Sequence, residues 1–262
     1  MNTNSNTYTV IYTTVVCVLV AAILAFVSQV LGPKQAANEK AETISQILTA
    51  AQFGEKSHWQ ELGNAKTIEF FEENIEGDAT ITSTSQLKAL NRQVKDGNVN
   101  VEDLPVYKFK NGTSVLPVYG AGLWGPVWGY IAVADDFQTI VGAYFDHESE
   151  TPGLGGKIKD DPSFRAQFAG KKIIFGDGEP FSIVKGGAPA GVENAVDAIT
   201  GATMTSKGLS AAVASWLNAY ESYLGGNQSV KHECNHECEG DCEGDCEGNC
   251  EGNCEHENVT EE

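Results

Sequence analysis

The chain opens with a long apolar stretch bounded by polar residues. Between Thr9 and Pro33 nearly every side chain is apolar, and the first charged residue is Lys34. A helix over residues 10–31, about 22 residues at roughly 1.5 Å each, is about 33 Å long and can cross the hydrocarbon core of a bilayer. The pattern therefore predicts one transmembrane helix, and we take residues 1–34 as a membrane anchor.

A cleaved signal peptide is the alternative interpretation of this stretch. Such a peptide has a basic start, a shorter apolar run and a small-residue cleavage site. Residues 1–8 contain no Lys or Arg, and no convincing cleavage site follows the apolar run. A retained anchor is therefore favoured. The few charges that follow the span include both signs and leave its orientation open.

Helical spacing resumes after the anchor. Asn38 can cap a helix that Gly54 is placed to end. The apolar positions of this helix are Ala41, Ile44, Ile47, Leu48 and Ala51. We interpret residues 35–104 as a helical stalk and connecting region, within which residues 55–103 are too mixed to assign.

The pattern changes to β-structure from Val106. Two hairpins are predicted, one turning at Asn111-Gly112 and one at Asp135-Asp136. Two more short strands, KKIIF and FSIV, follow, and an apolar stripe over residues 206–224 predicts an amphipathic helix that packs on the sheet. The fold class is α+β, with a β-rich domain over residues 105–226 that this helix closes.

Composition separates a C-terminal tail from the rest. From Lys231 onward the chain holds twelve Asp or Glu and one Lys, in a protein of formal net charge -19. Six of the seven Cys recur there at every fourth position from Cys234, and the seventh, Cys17, lies in the apolar span. Residues 227–262 lack the apolar content to fold alone, so we expect a disordered acidic tail. The negative charge also argues against nucleic-acid binding.

The familiar cofactor and nucleophile motifs are missing from the sequence. It contains no G-x-G-x-x-G between a strand and a helix, no P-loop, no G-x-S-x-G and no H-E-x-x-H. Between the anchor and the tail there is no Cys, and the two His are His58 and His147. We therefore assign no catalytic residue and no metal ligand.

The segment DAITGATMTS at 197–206 places four hydroxyls where the last helix is predicted to begin. One interpretation is capping, because Ser and Thr oxygens accept hydrogen bonds from the first N–H groups of a helix. The other is a ligand site, because those N–H groups and the helix dipole attract a phosphate. Spacing alone leaves both open, with capping the more common.

DAITGAT at 197–203 resembles the flavinylation motif, D-x-x-[ST]-G-A-[ST], of the covalent FMN-binding domains in sodium-translocating NADH:quinone oxidoreductase and its ion-pumping relatives. In that family a transferase joins FMN through its phosphate to the last Thr of the motif. The resemblance implies a phosphoester on Thr203, with Thr205 as the second choice. It also implies a recognition context of Asp197, Thr200, Gly201 and Ala202.

Two more stretches extend the resemblance. GAGLWGPVWGYIAV at 120–133, HESETPGLGGKI at 147–158 and the order of parts are similar to the C subunit of that complex, which we favour over the G subunit of the related electron-transport complex. The resemblance implies a membrane-anchored flavoprotein subunit that relays electrons from NADH to quinone during sodium pumping. It also implies partner subunits that carry NADH and flavin, iron–sulfur and a second FMN, and a soluble domain on the periplasmic side of a bacterial inner membrane.

The resemblance also gives the Gly-rich loop a role. Attachment through phosphate leaves the flavin ring to be held by packing and backbone hydrogen bonds. We expect ring contacts from Glu150, Thr151, Gly153, Leu154 and Gly155. Trp124 could stack on the ring, but a strand aromatic is more often part of the core, and we prefer that interpretation.

Two competing functions remain at this point. One is a non-redox anchored protein that binds metal through the thiols and His of its tail, or that forms disulfides there if exported. The other is a flavoprotein reductase that acts alone on a small acceptor.

Overall fold

The computed structural model describes residues 6–78, 80–176 and 178–225, so the acidic tail lies outside the described residues. The helices are α1 (Asn6–Ala50), α2 (Lys56–Leu62), α3 (Asn64–Asn74), α4 (Thr84–Lys95), α5 (Lys157–Asp160), α6 (Pro162–Ala166) and α7 (Thr203–Ala219), with a 3-10 turn at Val101–Asp103. The strands are β1 (Tyr107–Lys108), β2 (Ser114–Ala121), β3 (Pro126–Val133), β4 (Ile140–His147), β5 (Ser182–Val184) and β6 (Ala195–Asp197).

Four strands form one antiparallel sheet in the order β1-β2-β3-β4. Both predicted hairpins are confirmed, since β1 pairs with β2 and β3 pairs with β4. Gly112 in the first turn has a φ of 86°, a left-handed conformation that glycine adopts without steric cost. β5 and β6 form a separate parallel pair.

Helices cover both faces of this sheet, so its three long strands are buried along nearly their whole length. Successive side chains of a strand point to opposite faces. One face packs against α4 and α7 through Leu87, Leu116, Val118, Ile131, Phe145, Leu209, Val213 and Trp216. The other packs against the end of α1 with α2 and α3 through Ile44, Leu48, Trp59, Phe71, Val115, Tyr130 and Tyr144. The domain therefore has three layers, which bears out the α+β fold class.

The first helix differs from the prediction. α1 runs without a break to Ala50, whereas the sequence pattern predicts a separate helix that begins at Asn38 and ends at Gly54. Pro33 lies inside α1, where it removes one helical hydrogen bond. The residues that follow Pro33 are mostly good helix formers, so the helix continues past it. Within the described residues, this is the one helix long and apolar enough to cross a membrane, and its apolar side chains over 10–31 are exposed.

Polar contacts join the end of α1 to the sheet. The Gln46 side-chain amide donates to Oδ2 of Asp146 at 2.8 Å, and the Trp128 indole donates to Oε1 of Gln46 at 3.4 Å. Lys56 pairs with Glu42. Burial raises the pKa of Glu42, but the hydrogen bond and charge of Lys56 outweigh it and lower the pKa. The end of α1 is thus fixed to the sheet.

The unassigned region and the short strands also show differences from the prediction. Residues 55–103 hold α2, α3, α4 and the 3-10 turn, and α4 begins at a capping box formed by Ser83 and Gln86. FSIV contains β5, but KKIIF contributes only an isolated bridge between Lys172 and Thr139. β6 has three residues, too few for a periodic pattern to reveal it.

Two glycines allow α7 to lie close on β2. A Cβ at Gly208 would meet the backbone oxygen of Ala121, and a Cβ at Gly120 would meet the Cβ of Ala212. Neither obstacle is the far end of a flexible side chain, so the backbones would have to separate. This close approach places the second turn of α7, at Gly208, beside the end of β2.

We expect Gly208→Ala to destabilise the protein by about 1–3 kcal/mol through overpacking, although Ala has the higher helix propensity. Chemical denaturation of the full chain in detergent, followed by circular dichroism, measures this. Asn218→Ala, at an exposed position of the same helix, is the matched control and should be neutral or slightly stabilising. Equal stabilities for the two variants would contradict the close approach.

Candidate functional site

Three segments meet at the amino-terminal end of α7. They are the turn at residues 122–125 between β2 and β3, the Gly-rich loop at residues 148–156 after β4, and the first turn of α7 itself. The side chain of Glu150 connects all three. The site is therefore built around one acidic residue of the loop.

Glu150 is buried, with 4% of its surface exposed. Its Oε1 accepts hydrogen bonds from the backbone N–H groups of Leu123 at 2.8 Å and Trp124 at 2.9 Å. Its Oε2 accepts the hydroxyl of Thr205 at 2.6 Å. Its own N–H donates to Nδ1 of His147 at 3.2 Å. These contacts compensate for the burial of the carboxylate.

The hydrogen bonds also set the protonation state of Glu150. Burial raises the pKa of its carboxyl, but the bonds from the Thr205 hydroxyl and from the backbone N–H groups of the 122–125 turn outweigh burial and lower the pKa. Glu150 is thus a buried anion at neutral pH.

Two glycines make room for this carboxylate. A Cβ at Gly155 would lie 2.5 Å from Oε2 of Glu150 and 2.6 Å from the Thr205 hydroxyl, and a Cβ at Gly122 would meet Oε1 of Glu150. Gly155 is therefore needed for close approach between the loop and α7. This is a different role from the predicted contact with a flavin ring, which stays a prediction.

α7 begins three residues earlier than predicted, at Thr203 instead of Ser206. Its N-cap residue is Ala202, and in the described part of the chain no side chain caps it. The Ser206 hydroxyl instead accepts from the N–H of Ile199 at 3.1 Å. The capping interpretation is therefore wrong for this helix, and its first N–H groups and the positive end of its dipole face the site.

Burial separates the two candidate attachment residues. Thr205 is 1% exposed and its hydroxyl is bonded to Glu150. Thr203, two residues earlier and on another side of the helix, is exposed, as is Thr200. Of these hydroxyls, that of Thr203 is the one that combines access from outside with a place in the first turn of α7.

Exposed apolar side chains come from each of the three segments. Leu123 is 49% exposed, Trp124 68%, Leu154 46% and Met204 58%. The preferred core interpretation of Trp124 is wrong, because this residue lies at the exposed turn and not in a strand. The sequence does not identify Leu123 and Met204 as site residues. Their positions next to Trp124 and Thr203 were the sequence feature that could have indicated them. Leu154 lies over Gly201, whose φ is 83° and whose added Cβ would be 3.1 Å from Cδ2 of Leu154.

The remaining predicted residues lie at the edges of the site. The backbone oxygen of Thr151 accepts from the N–H groups of Leu154 and Gly156, at 3.2 and 3.0 Å, in a turn where Gly153 has a φ of 75°. Asp197 ends β6, and its Oδ1 accepts from the N–H of Ala188 at 2.6 Å. These contacts hold the loop and the start of the 197–203 segment in place.

The arrangement suits a ligand with an anionic end and a flat apolar body. The N-terminus of α7 can hold an anion, and the exposed side chains can cover an aromatic ring. Across the described ranges, no group of three or more His, Cys, Asp or Glu is placed to hold a metal ion.

Comparison with known proteins identifies this ligand class. Residues 122–218 match the FMN-binding domain family. The C subunit of the Na(+)-translocating NADH-quinone reductase of Vibrio vulnificus (strain YJ016) is 45% identical over 117 residues, which are 43% of this chain and 46% of that protein. The same subunit of Vibrio alginolyticus is 36% identical over 160 residues, 59% of this chain and 60% of that protein.

A solved structure extends the match. The crystal structure of the C subunit of this reductase from Parabacteroides distasonis ATCC 8503 has a TM-score of 0.60 and 32% identity, and the match covers 74% of this chain and 96% of that one. The fold and the site thus define an FMN-binding protein. The chain belongs to the family formed by the C subunits of the Na(+)-translocating NADH-quinone reductases, as the 197–203 segment predicts. It spans about half the length of the Vibrio vulnificus relatives that it matches.

The lowered pKa of Glu150 makes stability depend on pH. A carboxyl whose pKa is lower in the folded state contributes stability above its ordinary value of 4.5, and this is lost as pH falls. We expect Glu150→Gln to reduce the free energy of unfolding by about 1–3 kcal/mol at pH 7. The difference from the wild type should shrink below pH 4.5. Urea denaturation at several pH values measures it, and a difference that does not change with pH would contradict the assignment.

Proposed function

We propose that Thr203 carries FMN through a phosphoester, and that the chain is a membrane-anchored subunit that relays electrons from NADH to quinone in a sodium-pumping respiratory complex. The observation that supports this best is the position of Thr203. It is exposed, it lies in the first turn of a helix whose N-cap is Ala202, and it ends the DAITGAT segment. Asp197, Thr200, Gly201 and Ala202 would be the context that a flavin transferase reads.

The start of α7 favours a phosphate. A phosphodiester keeps a negative charge, and the unpaired N–H groups and dipole at a helix N-terminus stabilise such a charge. At Thr203 the ester would stay within the first turn, where this effect is strongest. Thr205, the second choice, is buried and its hydroxyl is hydrogen-bonded to Glu150, so an ester on Thr205 would remove that hydrogen bond.

The exposed apolar residues favour a flat ring beside the phosphate. Leu154 and Trp124 lie on the two segments that Glu150 joins, and Met204 follows the attachment residue. These side chains would hold the ring by packing, with Thr151, Gly153 and Gly155 bringing backbone close to its polar edge. FMN, when bound, supplies the one-electron chemistry, and the protein supplies position and environment.

An exposed site also suits transfer between proteins. Electrons can pass to and from a cofactor near the surface without a substrate that binds and leaves. We propose that the partners are subunits of the same membrane complex, which carry NADH and flavin, iron–sulfur and a second FMN.

Thr203→Val should remove all covalent flavin from protein that is coexpressed with a flavin transferase. The variant keeps the size of the side chain but lacks the oxygen that forms the ester. The measurements are fluorescence of the denatured protein band under ultraviolet light and the intact mass, which should be that of the unmodified variant chain, without the added mass of FMN less one water. Peptide mapping of residues 197–206 in the wild type should place the added mass on Thr203.

Thr203→Ser is the matched control, because it restores a hydroxyl at the same place and should regain the flavin. If flavin stays attached in Thr203→Val, the ester is on another residue and the assignment to Thr203 is wrong. A wild-type peptide without added mass, from cells that make the transferase, would overturn the proposed function and favour the non-redox alternatives.

We further propose that α1 anchors the chain in the inner membrane with the flavin domain on the periplasmic side. The exposed apolar surface over residues 10–31 supports the anchor. The end of α1 is fixed to the sheet, so the domain would lie on the side of the membrane to which the helix end points.

Fusions to the C-terminus test this orientation. Alkaline phosphatase, which is active only outside the cytoplasm, should be active when fused to the full chain, and green fluorescent protein, which fluoresces only inside, should be dark. The reverse pair of results would place the domain in the cytoplasm. Both fusions should remain in the membrane fraction after carbonate extraction.

A further inference from the structure

We propose that Glu150 is a positioning residue that sets the 122–125 turn and the first turn of α7 as a single unit, so that the two sides of the site cannot move independently. The sequence suggests direct contact between Glu150 and a ligand, but both of its carboxylate oxygens are used inside the protein. The inference rests on the proposed function only for what the site holds. The contacts that carry it are within the protein.

Each oxygen of Glu150 holds one side of the site. Oε1 accepts from the N–H groups of Leu123 and Trp124, which are 27 and 26 residues away in sequence. Oε2 accepts from the Thr205 hydroxyl, 55 residues away. The turn has one backbone bond of its own, from the N–H of Gly122 to the oxygen of Gly125 at 2.8 Å. Its exposed tip therefore depends on Glu150.

The packing around the carboxylate leaves it little freedom. Gly122 lies against one oxygen, and Gly155 against the other and against the Thr205 hydroxyl. A shift of Thr205 must therefore displace the carboxylate or break the bond to it. Since a buried charge without a partner is costly, the carboxylate would pull away from the turn or admit water. Either change would weaken the hydrogen bonds from the N–H groups of Leu123 and Trp124.

The consequence is a defined place for Trp124. This side chain is 68% exposed, so packing alone does not fix it. The bond from its own N–H to Glu150 fixes its backbone instead. In the apoprotein Glu150 would therefore already hold the backbone of Trp124 in a fixed position relative to the first turn of α7.

Thr205→Val tests the coupling, because it changes α7 and is read at the turn. In hydrogen exchange of the full-length apoprotein in detergent, amides at 122–125 should exchange about tenfold faster than in the wild type. Ser210→Ala is the matched control: it also removes a buried α7 hydroxyl, one that accepts from the N–H of Ile183, and should leave the 122–125 turn unchanged. Thr205→Ser keeps the hydroxyl and should restore the wild-type rate.

Unchanged exchange at 122–125 in Thr205→Val would overturn the proposal, as would a failure of Thr205→Ser to restore it. If Thr205→Val does not fold, Glu150→Gln gives the same readout and should speed exchange at 122–125. Glu148→Gln removes the same charge at an exposed position and is the control, which should leave exchange at 122–125 unchanged. These measurements use apoprotein, so they decide the role of Glu150 even if Thr203 proves to be unmodified.

A redox readout reports the effect of the Glu150 charge on the flavin, which a change in general stability does not produce. Where Thr203 carries flavin, loss of the buried negative charge in Glu150→Gln should raise the flavin midpoint potential, because a reduced ring that gains negative charge is then less disfavoured. Glu148→Gln should shift it less, since an exposed charge is screened. Equal shifts would mean that Glu150 acts no differently from a surface carboxylate.

Discussion

The hydrogen bonds to the Glu150 carboxylate are the interaction on which the site depends. A buried anion is tolerated only when its oxygens are paired, and here the partners come from two segments far apart in sequence. The loop after β4 therefore folds only when the β2–β3 turn and the start of α7 are in the positions that pair with the Glu150 carboxylate. The cost of burying the charge is what excludes the alternative positions of these segments.

The layers of the domain support that arrangement from both sides. α7 can reach the turn because Gly120 and Gly208 let it lie close on β2. On the opposite face the end of α1 is held by Gln46 and Asp146. The same sheet thus links an apolar helix that is long enough to cross a membrane to the site at the start of α7. The position of the site relative to α1 is therefore set by the packing of α1 on the sheet and not by a linker.

Local signals predict most of the fold, and tertiary contacts account for the rest. The hairpins are predicted from Asn111-Gly112 and Asp135-Asp136, because these residue types favour the backbone conformations of turns. The prediction of a separate helix from Asn38 is wrong because Asn is a common cap, whereas a helix that has already formed extends cooperatively through residues on both sides of Asn38. The core prediction for Trp124 is wrong because apolar character indicates burial in general, whereas exposure here follows from its place in a turn.

The site shows why its hydroxyls could not be told apart from spacing. Four of them lie within residues 197–206, and any could cap a helix, yet the N-cap is Ala202. Ser206 instead supports the backbone of Ile199, and Thr205 completes the partners of Glu150. Only three-dimensional burial distinguishes these two from Thr203. Because Thr205 and Ser206 have structural roles and Thr200 precedes the helix, Thr203 is the exposed hydroxyl in the first turn of α7, and this is why we propose it as the attachment residue.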